Sequence, residues 1–264
     1  MISIKKIFEV KFQLSKELSI LILAWLGIIT ASYIAFISGN TLLQILFYNV
    51  ISLFLIGIAL PVYWNIKKGY PLSDIGITKN RLWLSLVIGI LFAGFEAFHT
   101  IVEIQLPVFD ELLPIIVLAI VAGLFEAVFF RGWIQLRLED AFGIIPSILL
   151  ASAFYSLYHI GYSGSWATTE TLITLLFVGI MFAVLFRLTK NILIIWLFAI
   201  PVGAVYDLVK HETIIPFEAI YGYLFTSILI VIFFVYIKFK KTNLKKRLQH
   251  RRITACINAS LRSL

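Results

Sequence analysis

Apolar runs long enough to cross a bilayer recur along most of this chain, and they limit its fold more than any other feature. A spanning helix needs about 20 mostly apolar residues. Eight runs qualify, at about 18–38, 42–64, 82–102, 113–135, 144–161, 171–187, 192–209 and 220–238. Of the 264 residues, 61% are apolar and 14% charged, with a mean hydropathy of +1.00. A soluble domain has no interior large enough to hide that much apolar surface, whereas a polytopic membrane protein needs it. The expected fold is therefore all-α, a polytopic membrane helical bundle with about eight transmembrane helices. The first run is too long for a cleavable signal peptide and lacks a small-residue cleavage site, so it reads as a span.

The net charge of +8 is informative through its distribution. Lys5, Lys6, Lys11 and Lys16 precede the first run, and Lys67, Lys68, Lys79 and Arg81 join the second to the third. Arg131 and Arg137 fall at the junction of the fourth and fifth, Arg187 and Lys190 between the sixth and seventh, and nine more lie in the tail. The alternate loops hold Lys210 alone. This is a positive-inside pattern, and it predicts both termini in the cytoplasm. Basic residues dispersed over loops in this way do not form a nucleic-acid docking surface, so no nucleic-acid partner is expected. The tail "KFKKTNLKKRLQHRR" offers cations to anionic lipid, each worth about 1 kcal/mol near a surface; it reads equally well as a stop-transfer tail. Cys256 is the single cysteine, which excludes an intrachain disulfide and a cysteine-based metal site. Eight residues follow it, so it is not a prenylation box.

The expected organisation is a cytoplasmic interfacial lead-in at 1–17, a membrane domain at 18–239 and a basic cytoplasmic tail at 240–264. Pro71, Gly69 and Gly76 mark turns in the longest basic loop, 67–81. The fourth helix is expected to continue to about 139, because "WIQLRLED" holds good helix formers, with Gly143 and Pro146 breaking it. No repeat of 20–50 residues is present.

Ionisable residues inside spans are expensive and mark function or a specific partner. Glu126, within "LFEAVFFRGW", has Ala122, Gly123, Phe129 and Phe130 as helical neighbours, none able to pair with a carboxylate. Burial without a partner disfavours the charged form, which suits general acid–base work; the alternative is a protonated structural carboxyl. Arg131 always carries its charge. At 100° per residue it lies about 140° around the helix from Glu126, so the two are not expected to share a face. It reads either as a group needing a partner from another helix or as a snorkelling cation at the cytoplasmic end. His159 follows Tyr155 by four residues, and a membrane histidine of that kind is often only hydrogen-bonded. Glu96, His99 and Glu103 recur on one face of the third run, bordering either a polar cavity or the wet end of the helix, and Asp207 lies near the end of the seventh. No zinc spacing and no G-x-S-x-G element is present.

Together these residues resemble the CAAX protease and bacteriocin-processing (CPBP, Abi) family of intramembrane endopeptidases. The family motif E-E-x-x-x-R, continued F-R-G, reads here as "EAVFFRG", with Glu126, Ala127 and Arg131 in the three positions. The motif F-x-x-x-H reads "YSLYH", with Tyr155 and His159. "YPLSDIGIT" resembles a short element that precedes the third helix in the family. The third motif departs: Trp196 and Asp207 are present, but position 203 is Gly where a His is expected. The resemblance centres on about 82–209 and implies a multi-pass integral membrane endopeptidase, in the cytoplasmic membrane for a prokaryote. Its substrate would be a membrane-associated protein or peptide, prenylated ones included. Glu126 would activate water together with His159, and Arg131, Tyr155, Asp207, His99 and Glu96 would support them. No cofactor is firmly implied. A divalent metal such as zinc is weakly supported, because three protein ligands are typical and one carboxylate and one histidine are present. The missing second Glu and third-motif His also fit a catalytically degenerate member acting as a membrane scaffold or immunity-type protein. A transporter using Glu96, Glu126 and His159 as a relay is disfavoured by the lack of repeats.

Overall fold

The computed structural model describes residues 8–13, 15–103, 106–162, 168–199, 209 and 215–262, and these are helix, turn or loop throughout. The helices are α1 (Lys16–Ile37), α2 (Thr41–Lys67), α3 (Leu82–Glu103), α4 (Phe109–Phe142), α5 (Ile144–Tyr158), α6 (Thr169–Thr189), α7 (Ile192–Ala199) and α8 (Ala219–Arg262). Seven of them are long and apolar enough to cross a membrane. Of the expected span at 192–209, the helix α7 is described for eight residues, and most of the remainder lies outside the described residues. The chain divides into two compact units, Met1–Thr226 and Ser227–Leu264, with the single helix α8 running through the boundary.

The fourth helix is longer than the run of apolar residues that announced it. It continues past 135 to Phe142 and spans 34 residues. Its middle section, Ala127–Gln135, is wound as a π-helix, and all nine residues of that section are buried. A helix apolar on every side belongs at the centre of a bundle, and α4 has that position. Gly143, at φ +94°, ends it, and α5 starts one residue later. The lead-in segment at residues 8–13 does more than rest at an interface. The amides of Lys11 and Gln13 donate to the carbonyls of Phe142 (3.1 Å) and Ala141 (3.0 Å), which a helix C-terminus otherwise leaves unpaired.

Small residues and single polar bonds join the helices, as expected where lipid is as apolar as the side chains. Gly57 of α2 lies flat against the Phe125 ring of α4, with no room for a Cβ. Ser32 and Ser52 place their hydroxyls 3.2 Å apart between α1 and α2. Gln135 donates to the Ala183 carbonyl of α6 at 2.8 Å, and Trp25 of α1 donates to Phe154 of α5 at 2.9 Å. The turn Leu72–Ile75 packs on α4 beside Gly132, and Ile192 N donates to Gly76 O (3.1 Å).

Charges collect at the end of the bundle where α4 terminates. Arg187 Nε and Lys190 Nζ lie 3.1 and 3.5 Å from Glu139, while Arg137 and Lys68 reach Glu17 at 3.6 and 3.0 Å. Burial pulls the Lys190 ammonium below its usual range, and Glu139 opposes that. Glu139→Gln is expected to lower stability by about 1 kcal/mol, the upper end for exposed pairs, with the loss shrinking at high salt. Thermal melts in detergent at two ionic strengths measure it.

Candidate active site

Glu126 is the last α-helical residue before the π section, 18 residues into α4 and so at its middle. The extension to Phe142 accounts for that depth, since a helix ending at 135 would leave Glu126 closer to one surface. The carboxyl is half-buried within a shell of aromatic rings from α4 and α5. Tyr158 is packed 4.8 Å from Phe130 and 5.9 Å from Phe125, ring to ring. Its hydroxyl donates to Glu126 Oε1. The partner that α4 itself could not supply therefore comes from α5. Hydrogen bonds to an ionised group are the strong ones, worth about 1.5–3 kcal/mol.

His159 begins the tight turn His159–Gly161 that ends α5 and is 5% exposed. Its ring lies 4.0 Å from that of Tyr158, so one tyrosine touches both the carboxyl and the imidazole. Nδ1 is 2.9 Å from the Tyr155 carbonyl oxygen. A carbonyl only accepts, so Nδ1 carries a proton, and in the neutral ring the lone pair is then on Nε2. The turn can sit this close to α1 because Gly161 has no side chain; a Cβ there would be 2.9 Å from Ile29 O.

Arg131 decides between its two expected readings. It does not snorkel: it is 1% exposed, with its guanidinium carbon 5.1 Å from the Tyr155 ring centroid, a cation–π contact. Its section of α4 is π-helical from Ala127 to Gln135, a winding that bonds residue i to i+5. Ala127 is fully buried at the position where the family motif has its second Glu, and Nη1 and Nη2 of Arg131 have no hydrogen-bond partner among the described residues.

Of the other candidates, His99 is exposed and the rest lie outside what is described. His99 is exposed on α3, a helix packed on α7 through Gly89 against Leu197 and Phe92 against Phe198. The side chain of Glu96 lies outside the described residues, as do Glu103 and Asp207. Trp196 donates from Nε1 to Ile120 O at 2.8 Å, tying α7 to α4. Among the described residues, no three His, Cys, Asp or Glu side chains group as metal ligands would. Tyr158 is the residue that sequence reasoning missed. It is spelled out in "YSLYH" beside His159, but one tyrosine among several aromatic residues gives no sign of which way it points.

Residues 107–200 match the family model for type II CAAX prenyl endopeptidases, Rce1-like. This stretch is similar to an Rce1-like domain. It runs from the start of α4 through α7 and contains Glu126, Arg131, Tyr158 and His159. The match ends before position 203, where the third motif loses its His. No curated protein matches the chain.

Proposed function

We propose that the protein is an intramembrane endopeptidase in which Glu126 is the general base and His159 its partner in holding water. The observation that carries this reading is the junction of Glu126, Tyr158 and His159 from two helices. Water bound between carboxylate and imidazole attacks the peptide carbonyl as Glu126 takes one of its protons. The C–N bond then breaks, and Glu126 returns that proton to the departing nitrogen. The Arg131 guanidinium, buried over the Tyr155 ring, favours negative charge as it develops in this reading. Both termini face the cytoplasm in this reading, the membrane domain covers 18–239, and substrates are membrane-associated peptides or proteins, including prenylated ones.

Tyr158→Phe removes the hydroxyl and keeps the ring packing. Cleavage is expected to slow by about 10- to 100-fold, the value of a hydrogen bond to a charged group. The test is hydrolysis of a library of membrane-anchored peptides, prenylated and plain, by the reconstituted protein. A wild-type protein that cuts none of them overturns the enzyme reading.

One observation favours a second reading, a non-catalytic member serving as a membrane scaffold or immunity-type protein. Ala127 stands where the family motif has a carboxylate four residues before Arg131, and Nη1 and Nη2 of Arg131 lack a hydrogen-bond partner among the described residues. Under that reading a cellular phenotype survives Glu126→Gln at normal protein levels.

A further inference from the structure

The tyrosine bonded to Glu126 is the inner end of a longer series of hydroxyls. Tyr162 follows Tyr158 by four residues at the end of α5, and the two rings are 5.7 Å apart at 70°. The Tyr162 hydroxyl lies 3.2 Å from that of Tyr48, which is buried on α2. Tyr48 in turn lines a cavity of about 30 Å³ together with Asn49, Gln44, Thr41 and Tyr223. A polar cavity of that size is roomy enough for water that finds two or more partners. Asn49 provides one: it is 4% exposed, and its Oδ1 has no hydrogen-bond partner among the described residues. Thr41 is exposed, so the far end of the cavity reaches the surface where α1 and α2 join.

We propose that Tyr158, Tyr162 and Tyr48 form a proton wire between Glu126 and water held in this cavity at Asn49. The wire rests on the reading of Glu126 as a base. Hydrolysis uses both protons of the attacking water. Glu126 hands one to the leaving nitrogen, and the new carboxylic acid releases the other to the base beside it. Glu126 must lose that proton before it can act again. Its O–H bond breaks as the proton passes to the Tyr158 oxygen, while the protons of Tyr158, Tyr162 and Tyr48 move on to Tyr162, Tyr48 and cavity water in turn. No tyrosine is left charged, the cavity water carries the proton out as hydronium, and rotation of three hydroxyls restores the starting direction. Each hydroxyl has the one donor and two acceptor sites this requires.

Tyr48→Phe and Tyr162→Phe each remove a hydroxyl that does not touch the carboxyl. In reconstituted vesicles moved from H2O into D2O, infrared spectroscopy follows exchange at the Glu126 carboxyl, whose band is identified by its loss in Glu126→Gln. Exchange is expected to slow at least tenfold in each variant, and the double variant to be no slower than the slower single one, because a wire broken once is broken. Tyr33→Phe, at an exposed tyrosine of α1, is expected to exchange like wild type. With a cleavable peptide, kcat falls in both variants while KM holds. Unchanged exchange in either single variant, multiplied effects in the double, or the absence of any exchanging Glu126 band overturns the wire. A wild type that cuts no peptide but shows Tyr48-dependent exchange keeps the wire and removes the hydrolase reading instead.

Discussion

Glu126→Gln is expected to reduce peptide hydrolysis by about 100- to 10,000-fold, the usual contribution of a positioned general base. The replacement is nearly isosteric, and its amide oxygen can still accept the bond that Tyr158 donates to Oε1. The aromatic shell around position 126 therefore has no reason to move. What disappears is the ability to take a proton, and the loss should fall on kcat rather than on KM. Single-turnover cleavage by the reconstituted variant measures it, with a thermal melt in the same detergent as the check on folding. A variant that melts like wild type and cleaves within a few-fold of it would remove Glu126 from the chemistry. A variant that cleaves slowly but also melts early would point to a structural carboxyl.

Gly132→Ala should destabilise the fold by about 1–3 kcal/mol, the usual range for overpacking a tight contact. A Cβ at 132 would lie 2.5 Å from the Ile75 carbonyl oxygen and 3.3 Å from its carbon. That carbonyl belongs to the turn Leu72–Ile75, which has little freedom to withdraw. Asn65 Nδ2 holds Pro71 O at 2.7 Å on one side, and Gly76 O accepts from Ile192 N at 3.1 Å on the other. Gly76 itself sits at φ +79°, with Phe186 and Ile192 against it. The sign is decisive, because in open space the same substitution raises helix propensity by about 1 kcal/mol. Gly94 of α3, where a Cβ would meet nothing within 4 Å, provides the contrast: Gly94→Ala is expected to be neutral or stabilising. Melting temperatures of the two variants in detergent decide the matter. Equal stability of Gly132→Ala and wild type would mean that the turn is not seated on α4 as described.

These two glycines show what a sequence can and cannot say about packing. Both stand in apolar helical segments, and nothing local distinguishes them. The "F-R-G" glycine is needed because a turn more than 50 residues earlier in the chain rests on it. Helix ends are easier to read. Gly143 breaks α4 as expected, and the helix formers after Trp133 carry it to Phe142. Arg131 follows the first of its two expected readings, buried against Tyr155 of α5, and the π-helical section that holds it is not announced by composition.

Long apolar runs determined the membrane-spanning helices, because a backbone in lipid must satisfy its own hydrogen bonds and the helix does so within one segment. The lack of a pairing side chain three or four residues from Glu126 was equally legible, since helical neighbours follow from spacing alone. The identity of its partner was a tertiary matter. Tyr158, 32 residues away, reaches the carboxyl because α5 packs beside α4, and Tyr48 joins the series because α2 packs beside that turn. Side chains on different helices meet according to crossing, depth and rotation about the helix axis. In an apolar chain rich in aromatic residues, many such arrangements satisfy the same hydrophobic pattern, and only the folded packing selects one.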